Sequence, residues 1–397
     1  MMESRKMVAF TIGIIFTAVC LRGPIASVGS LVSFIESDLA VSKAYIGLIT
    51  TMPLLVFSAS SLFIPKIAWH MGHTRTLFFG MFLFCIGCFV RSSGGYFVML
   101  TGTLLLGIGI STGNVLLPAV IKKNMPHRIG LITGLYLCFQ NISAAVGAGF
   151  SYPVAKMEQF GWRSVLGIWV IPGILACLIW LMLINKSTGV EVNKIHTKVK
   201  LLWKSKLAWA ITMVMGLQSV NYYCVTAWLP SILKASNMSF EIAGYIASFF
   251  QIFAIPALFV APYMIAHTKN KILPATVSGF LYLAGAIILM STSNTALILI
   301  GLFFLASGGG ASFAWVVAII AVVSEDPNEA SRMSGMAQSI GYLMAAIAPT
   351  LAGMLFDLTG SWMSVLMMVT LMSACIVIVS ILADRILKSS QTIQSSN

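Results

Sequence analysis

Long apolar stretches separated by short polar ones run along the whole chain of 397 residues. Twelve of these stretches have about the length that a helix needs to cross the hydrocarbon core of a bilayer. They cover approximately residues 7–30, 44–67, 77–94, 98–120, 129–152, 165–184, 207–233, 242–265, 272–291, 296–323, 333–356 and 363–383. The pattern therefore predicts an all-α integral membrane protein with twelve transmembrane helices.

Composition and charge agree with this prediction. Hydrophobic side chains make up 58% of the chain and charged side chains only 9%, whereas about a quarter of the residues in soluble domains are charged. The net charge of +13 could suggest a nucleic-acid partner. However, the 24 Lys and Arg residues divide into 18 on the predicted cytoplasmic segments, 5 on the outer segments and Arg22 within the membrane. This asymmetry places both termini in the cytoplasm, and it indicates a lipid bilayer as the partner instead of nucleic acid.

The two halves of the chain repeat each other. The segment Trp162–Leu166 (WRSVL) recurs as Trp362–Leu366 (WMSVL), and residues 44–46 (AYI) recur as residues 244–246 (GYI), both displaced by 200 positions. A shared displacement at corresponding places favours duplication over chance. Since each half holds an even number of spans, the repeats are predicted to be parallel, related by an axis along the membrane normal.

A polar stretch with six lysines separates the halves. The sequence thus predicts an N-terminal six-helix bundle over residues 1–184, a basic cytoplasmic linker over residues 185–206, and a C-terminal six-helix bundle over residues 207–397 that ends in a short cytoplasmic tail. Two parallel six-helix repeats resemble the major facilitator superfamily. This resemblance implies transport by alternating access, with the two bundles rocking about a site near the middle of the membrane.

Several short motifs resemble one group within that superfamily. Leu21–Gly29 (LRGPIASVG) is similar to the R-P-x-x-T-S-V-G-P stretch in the first span of the cyanate and nitroimidazole transporter family. Thr50–Pro53, Arg91 at the predicted end of the third span, and Asn114–Pro118 are similar to later landmarks of that family. This chain departs from the pattern at Gly23, because the family usually has proline directly after the arginine. The resemblance leaves the identity of the solute open.

Arg22 is the only ionisable residue that the sequence places well inside the membrane. A guanidinium at that depth costs about 2.5–3.5 kcal/mol on insertion scales, and arginine stays charged in proteins. No carboxylate or histidine is predicted at a comparable depth. We therefore predict that the counter-charge of Arg22 arrives with the transported solute. The alternative is a structural role, in which backbone carbonyls freed around Gly23 and Pro24 surround the guanidinium.

Other polar residues also lie at predicted membrane depth. Gln218, Asn221 and Tyr222 stand at positions i, i+3 and i+4, so they share one helix face. In the superfamily, spans one, four, seven and ten line the cavity, and flanking spans add further amides. The predicted substrate-binding residues are Arg22, Asn114, Gln140, Asn141, Gln218, Asn221, Tyr222, Gln251, Trp315 and Gln338. The alternative for each amide is an interhelical hydrogen bond, worth about 0.6 kcal/mol.

The leading hypothesis is a secondary active or facilitative transporter that moves a small anionic or polar solute, such as a cyanate-like anion, across the cytoplasmic membrane. The first alternative is an exporter of neutral nitroheterocyclic drugs. A membrane-embedded enzyme or a sensor is a remote alternative, because paired carboxylates, His-rich clusters and a nucleophile with its base are all missing from the spans. No catalytic residue, cofactor or metal site is predicted, and we expect a monomer.

Overall fold

The computed structural model describes residues 2–40, 43–157, 159–186, 202–235, 238, 240–268 and 270–395. These residues are helical almost throughout. The helices are α1 (Met2–Leu39), α2 (Lys43–Met71), α3 (His73–Ser93), α4 (Tyr96–Asn124), α5 (Ile129–Ala155), α6 (Gly161–Gly167), α7 (Val170–Lys186), α8 (Lys206–Ala235), α9 (Phe240–Phe253), α10 (Ile255–His267), α11 (Leu273–Ser291), α12 (Thr295–Val323), α13 (Pro327–Thr359) and α14 (Trp362–Ser395). The sixth predicted span is divided into α6 and α7, and the eighth into α9 and α10.

The helices have the length and hydropathy of membrane spans. Within the described residues, 11 stretches are long and apolar enough to cross a bilayer. The remaining predicted span, the seventh (residues 207–233), corresponds to α8, which has 30 residues. Its mean hydropathy is lower because Gln218, Asn221 and two tyrosines interrupt its apolar sequence. The predicted all-α membrane fold is confirmed.

The helices form two compact units. The N-terminal unit comprises Met1–Lys200 and Ser324–Ser339, and the C-terminal unit comprises Leu201–Val323 and Ile340–Asn397. The first part of α13 therefore packs with the N-terminal helices, which the sequence analysis did not predict. Most of the predicted linker, residues 187–201, lies outside the described residues. The boundaries at residues 184 and 207 remain predictions.

Glycine allows the closest helix contacts in both units. In the N-terminal unit, a Cβ atom on Gly102 of α4 would overlap the backbone nitrogen of Arg91 of α3. In the C-terminal unit, a Cβ atom on Gly308 of α12 would lie 2.7 Å from the backbone nitrogen of Tyr282 of α11. Small residues permit such close packing, which replaces the hydrophobic effect as the cohesive force between helices in lipid. These contacts fix the helices that carry the polar side chains described next.

Candidate solute site

Arg22 lies near the middle of α1, with 20 helical residues before it and 17 after it. At 1.5 Å per residue, the two ends of α1 are about 30 Å and about 26 Å away along the helix axis. The side chain is half-buried, and its Nη1 donates a hydrogen bond of 2.8 Å to Oδ1 of Asn141 on α5. Asn141 itself is buried. Two of the predicted site residues are therefore in direct contact.

The close approach of α5 to α1 explains this contact. A Cβ atom on Gly147 would overlap the carbonyl oxygen of Gly23, so the two helices meet backbone to backbone at this level. One turn earlier on α5, the Oγ of Ser143 accepts a hydrogen bond of 3.2 Å from the backbone N–H of Gly23. The same hydroxyl donates to the carbonyl of Gln140 at 2.9 Å. These contacts hold α5 against the turn of α1 that carries Arg22.

A second neighbour, Trp169, requires glycine at position 23. Trp169 lies between α6 and α7, and a Cβ atom on Gly23 would overlap its indole ring. The indole Nε1 donates to the Oγ of Ser27 at 2.9 Å, and this Oγ donates to the carbonyl of Gly23 at 3.0 Å. The indole thus occupies the space that a larger residue after Arg22 would need. This is a physical reason for Gly23 and for the proline of this chain standing one position later.

Arg91, which the sequence analysis placed at the end of a span, is a second arginine whose side chain is directed into the protein. It lies in the last turn of α3, yet its side chain is only 1% exposed. Its Nη1 donates to the carbonyl of Pro24 at 3.0 Å, and its Nη2 donates to the carbonyl of Leu166 at 3.5 Å. The sequence analysis offered Arg22 the carbonyls around Pro24 as an alternative partner. In the structure the carbonyl of Pro24 accepts a hydrogen bond from Arg91.

Asn114, Gln140 and Gln338 form a second polar group in the N-terminal unit, and all three are buried. Gln140 Nε2 donates to Asn114 Oδ1 at 3.3 Å. Gln338 Nε2, on the first part of α13, donates to the backbone carbonyl of Asn114 at 2.7 Å and to the Oγ of Ser334 at 3.2 Å. Since Gln140 and Asn141 are adjacent, this group adjoins the contact between Arg22 and Asn141.

Pro118 explains why Gln338 reaches a backbone carbonyl inside α4. A proline has no N–H, so the carbonyl four residues earlier, that of Asn114, lacks its helical donor. In a membrane such a carbonyl needs another donor from the protein, and Gln338 supplies one. The position of Gln338 is therefore accounted for by helix packing without any solute, although its predicted role in binding stays a prediction.

The predicted residues of the C-terminal unit contact different partners. Tyr222 and Gln251 bond to each other, with O–H to Oε1 at 3.2 Å and Nε2 to the hydroxyl oxygen at 3.0 Å. Asn221 Nδ2 donates to the Oγ of Ser373 on α14 at 3.0 Å. Gln218 Nε2 donates to the Oγ of Ser219 at 2.8 Å. Gln218, Asn221 and Tyr222 all lie on α8, but their side chains bond to separate partners.

Trp315 donates its hydrogen bond to a backbone carbonyl and not to another predicted site residue. Its side chain is fully buried, and the indole Nε1 donates at 2.8 Å to the carbonyl of Lys271, which precedes α11. The indole thus attaches α12 to the turn between α10 and α11. This contact is sufficient reason for an indole at position 315, and the predicted contact with solute stays a prediction.

The sequence analysis missed three residues that shape the surroundings of Arg22, namely Ser143, Trp169 and Arg91. Two signals were present. Gly23 next to a membrane-depth arginine indicated a large neighbour, and Arg91 stood at the end of a span without an acidic residue nearby in sequence. Among the described residues, no group of three or more His, Cys, Asp or Glu side chains could hold a metal ion.

Comparison with known proteins shows which family has this architecture. The family model for the Major Facilitator Superfamily matches residues 12–349. An uncharacterized transporter, YycB, of Bacillus subtilis is 36% identical over 91% of this chain and 90% of its own length. A 2-nitroimidazole transporter of Escherichia coli is 31% identical over 97% of both chains. The cyanate transport protein CynX of Escherichia coli is 22% identical over 86% of this chain and 88% of its own.

A solved structure agrees with the sequence relatives. The proton:xylose symporter XylE superposes with a TM-score of 0.74 at 13% identity, over 98% of this chain and 96% of its own. Fold and relatives together define a multi-pass membrane transporter of small solutes, and not an enzyme. The chain belongs to the Major Facilitator Superfamily, within the group that includes nitroimidazole and cyanate transporters.

Proposed function

We propose that the protein transports a small solute rich in hydrogen-bond acceptor atoms, held by the guanidinium of Arg22. The observation that supports this most directly is the placement of a half-buried cation at the middle of α1, against the carboxamide oxygen of Asn141. A guanidinium has five N–H donors and no acceptor, and a carboxamide adds two further N–H donors. The two side chains together are therefore suited to a solute rich in acceptors.

A small anion such as cyanate is the leading solute class. The charge of Arg22 is permanent, and the linear cyanate ion presents acceptor oxygen and nitrogen atoms to the N–H donors of the guanidinium. The name of the relative CynX, a cyanate transport protein, supports this choice. In this proposal the negative charge of the solute is attracted by the positive charge of Arg22.

A neutral nitroheterocycle is the second candidate. A nitro group also presents two acceptor oxygens in one plane. The relative named as a 2-nitroimidazole transporter is more similar to this chain than CynX is, at 31% against 22% identity. The C-terminal unit also contains an aromatic cluster that could serve a heterocycle. In it the ring centroids of Tyr222 and Tyr223 are 5.1 Å apart, and those of Tyr223 and Tyr342 are 6.5 Å apart.

Further features of the proposal follow from the sequence and the family. We propose alternating access as the mechanism, the cell membrane as the location, cytoplasmic positions for both termini, and a monomer as the working form. The sequence supports the orientation through its 18 basic residues on the predicted cytoplasmic side and 5 on the other, since basic loops stay in the cytoplasm. No cofactor is part of this mechanism.

The test is uptake into liposomes by purified protein, with cyanate and 2-nitroimidazole as separate solutes. Arg22→Ala and Arg22→Lys are each expected to lower uptake by about tenfold or more, because a hydrogen bond to a charged group contributes about 1.5–3 kcal/mol. Lysine keeps the charge but loses the planar fork. Arg163→Ala is the matched control, since Arg163 forms a salt bridge with Asp38 at the helix ends. Wild-type uptake of both solutes by Arg22→Ala would refute the proposal.

A further inference from the structure

Arg91 is a buried cation that the proposed mechanism does not use. Its acceptors are two backbone carbonyls, those of Pro24 and Leu166, and its Nε is buried without a hydrogen-bond partner among the described residues. An unpaired buried charge is costly, and apolar residues of similar volume often replace such groups without loss of stability. Space filling alone therefore does not account for an arginine at this position. The hydrogen bond to the carbonyl of Pro24 is a reason for a charged side chain at position 91.

The backbone of α3 at Arg91 is held tightly against α4. Position 102 of α4 has no side chain, and the backbone of α3 at Arg91 fills that space, since a Cβ atom on Gly102 would overlap it. Four residues earlier on α3, a Cβ atom on Gly87 would overlap the backbone nitrogen of Leu106. Two such contacts fix the end of α3 on α4. The guanidinium therefore projects from a fixed point.

The target of Arg91 is the weakest turn of α1. The ring of Pro24 removes the helical hydrogen bond to the carbonyl of Cys20, so the backbone between Cys20 and Pro24 is one bond short. Arg22 lies inside this interval, two residues before Pro24, or about 3 Å along the helix axis. Asn141 and Ser143 on α5 bind Arg22 and Gly23. The turn is thus held by side chains from both α5 and α3.

We infer that Arg91 is a positioning residue, which sets the location of the Arg22 guanidinium by holding the carbonyl of Pro24. The inference that this affects solute affinity rests on the proposed function of Arg22. The geometric part does not, because it concerns only where residue 22 lies. This difference allows the two proposals to be tested separately.

The first experiment uses no solute. Arg22→Cys is compared with the double variant Arg22→Cys/Arg91→Lys by the rate at which a small methanethiosulfonate reagent labels the thiol introduced at position 22. The parent protein gives the background from the seven native cysteines. Lysine keeps the charge but cannot reach both carbonyls in the same geometry. A change in rate of about threefold or more is expected, corresponding to roughly one lost hydrogen bond. A smaller change would overturn the inference.

The second experiment measures transport with Arg22 intact. Arg91→Met is expected to raise KM by about tenfold while kcat changes little, and Arg91→Lys is expected to recover part of the affinity. Arg163→Met is the control, because Arg163 also donates to a backbone carbonyl, that of Gly94 at 3.4 Å, but far from Pro24 in sequence. A general structural defect would lower the amount of folded protein with KM unchanged, and that result would also overturn the inference. Should Arg91→Met not fold, the lysine variant decides by the labelling rate.

If Arg22→Ala transports normally, the proposed function fails but the labelling result still decides the role of Arg91. If Arg22→Ala is inactive while the Arg91 variants keep wild-type KM and labelling rate, only the role of Arg91 fails. The two failures are therefore distinguishable.

Discussion

The turn around Arg22 on α1 and the turn around Tyr222 on α8 were predicted from the same pattern, polar residues within an apolar helix, but their chemistry differs. In the Arg22 turn the guanidinium donates to the carboxamide of Asn141 and the N–H of Gly23 donates to a serine hydroxyl, while the carbonyl of Pro24 accepts from Arg91. At Tyr222 an uncharged hydroxyl and the Gln251 amide bond to each other beside two more tyrosines. The first region is suited to charge, and the second to a neutral ring.

This difference separates the two candidate solutes. An anion would depend on the Arg22 turn and would change little when the Tyr222 cluster is altered. A neutral nitroheterocycle would depend less on the charge of Arg22 and more on the Tyr222 cluster. Variants in the Arg22 turn and variants in the Tyr222 cluster should therefore affect the uptake of the two solutes differently.

The largest effect is expected for Asn141→Asp. The new carboxylate would lie within hydrogen-bonding distance of Arg22 and would supply its counter-charge. At a separation of about 4 Å and an effective dielectric constant of about 20, this attraction is worth about 4 kcal/mol. Anion uptake by purified protein in liposomes should fall by up to about a thousandfold, whereas uptake of 2-nitroimidazole should fall much less.

Asn141→Leu is the matched control for this change, because it removes the amide without adding charge. It should cost about tenfold or less for either solute. Equal loss of anion and nitroheterocycle uptake in Asn141→Asp would contradict recognition by charge.

The next largest effect is expected for Gly23→Ala. The added methyl group would overlap the indole of Trp169, and overpacking of this kind costs about 1–3 kcal/mol. The apparent Tm of the purified protein should fall, and Trp169→Leu in the same chain should restore part of it. Gly29→Ala is the control on the same helix, since a Cβ atom there has no neighbour within 4 Å in the described part of the chain. An unchanged Tm for Gly23→Ala would show that the indole moves freely.

The sequence was sufficient for the fold because hydropathy, length and loop charge are properties of whole segments. It also selected Arg22 and Asn141, which are in contact in the structure, since a polar residue in an apolar helix is visible without knowing its partners. It could not show that Arg91 turns inward, because the position of a residue near a span end does not give the direction of a long side chain. It could not show the packing of Ser324–Ser339 with the N-terminal helices either, because tertiary contacts between distant segments leave no local pattern in the sequence.

Two site predictions illustrate a different limit. Gln338 and Trp315 were selected because they lie at predicted membrane depth, on or beside the spans that line the cavity in the superfamily. Such side chains also need a hydrogen-bond partner. The sequence does not state which partner. In the structure both donate to backbone carbonyls, those of Asn114 and Lys271. A carbonyl freed by a proline four residues later, as at Pro118, is a signal that could be read from sequence in such cases.

A smaller effect is expected for Gln338→Ala, and Pro118 provides its test. Loss of the Gln338 amide should lower stability by about 1 kcal/mol, since the carbonyl of Asn114 loses a donor. In Pro118→Ala the helix regains an N–H for this carbonyl, so Gln338→Ala should then cost less. A double-mutant cycle on apparent Tm measures this coupling. A solute contact of Gln338 would instead lower uptake equally with proline or alanine at position 118.

The smallest effect on stability is expected for Asn221→Leu, which separates packing from recognition in the C-terminal unit. Asn221 is fully buried, its Nδ2 donates to Ser373, and its Oδ1 has no hydrogen-bond partner within the residues that the structure describes. Leucine removes an interhelical bond worth about 0.6 kcal/mol but also removes a buried acceptor without a donor, which offsets the loss. The hydroxyl of Ser373 keeps its own bond to the carbonyl of Val369 at 2.7 Å, so the substitution leaves that hydroxyl satisfied. Tm should therefore stay within a few degrees of the wild-type value. If uptake of 2-nitroimidazole falls while Tm and anion uptake hold, Asn221 recognises the neutral solute, and the separation between the charged turn and the neutral turn becomes sharper.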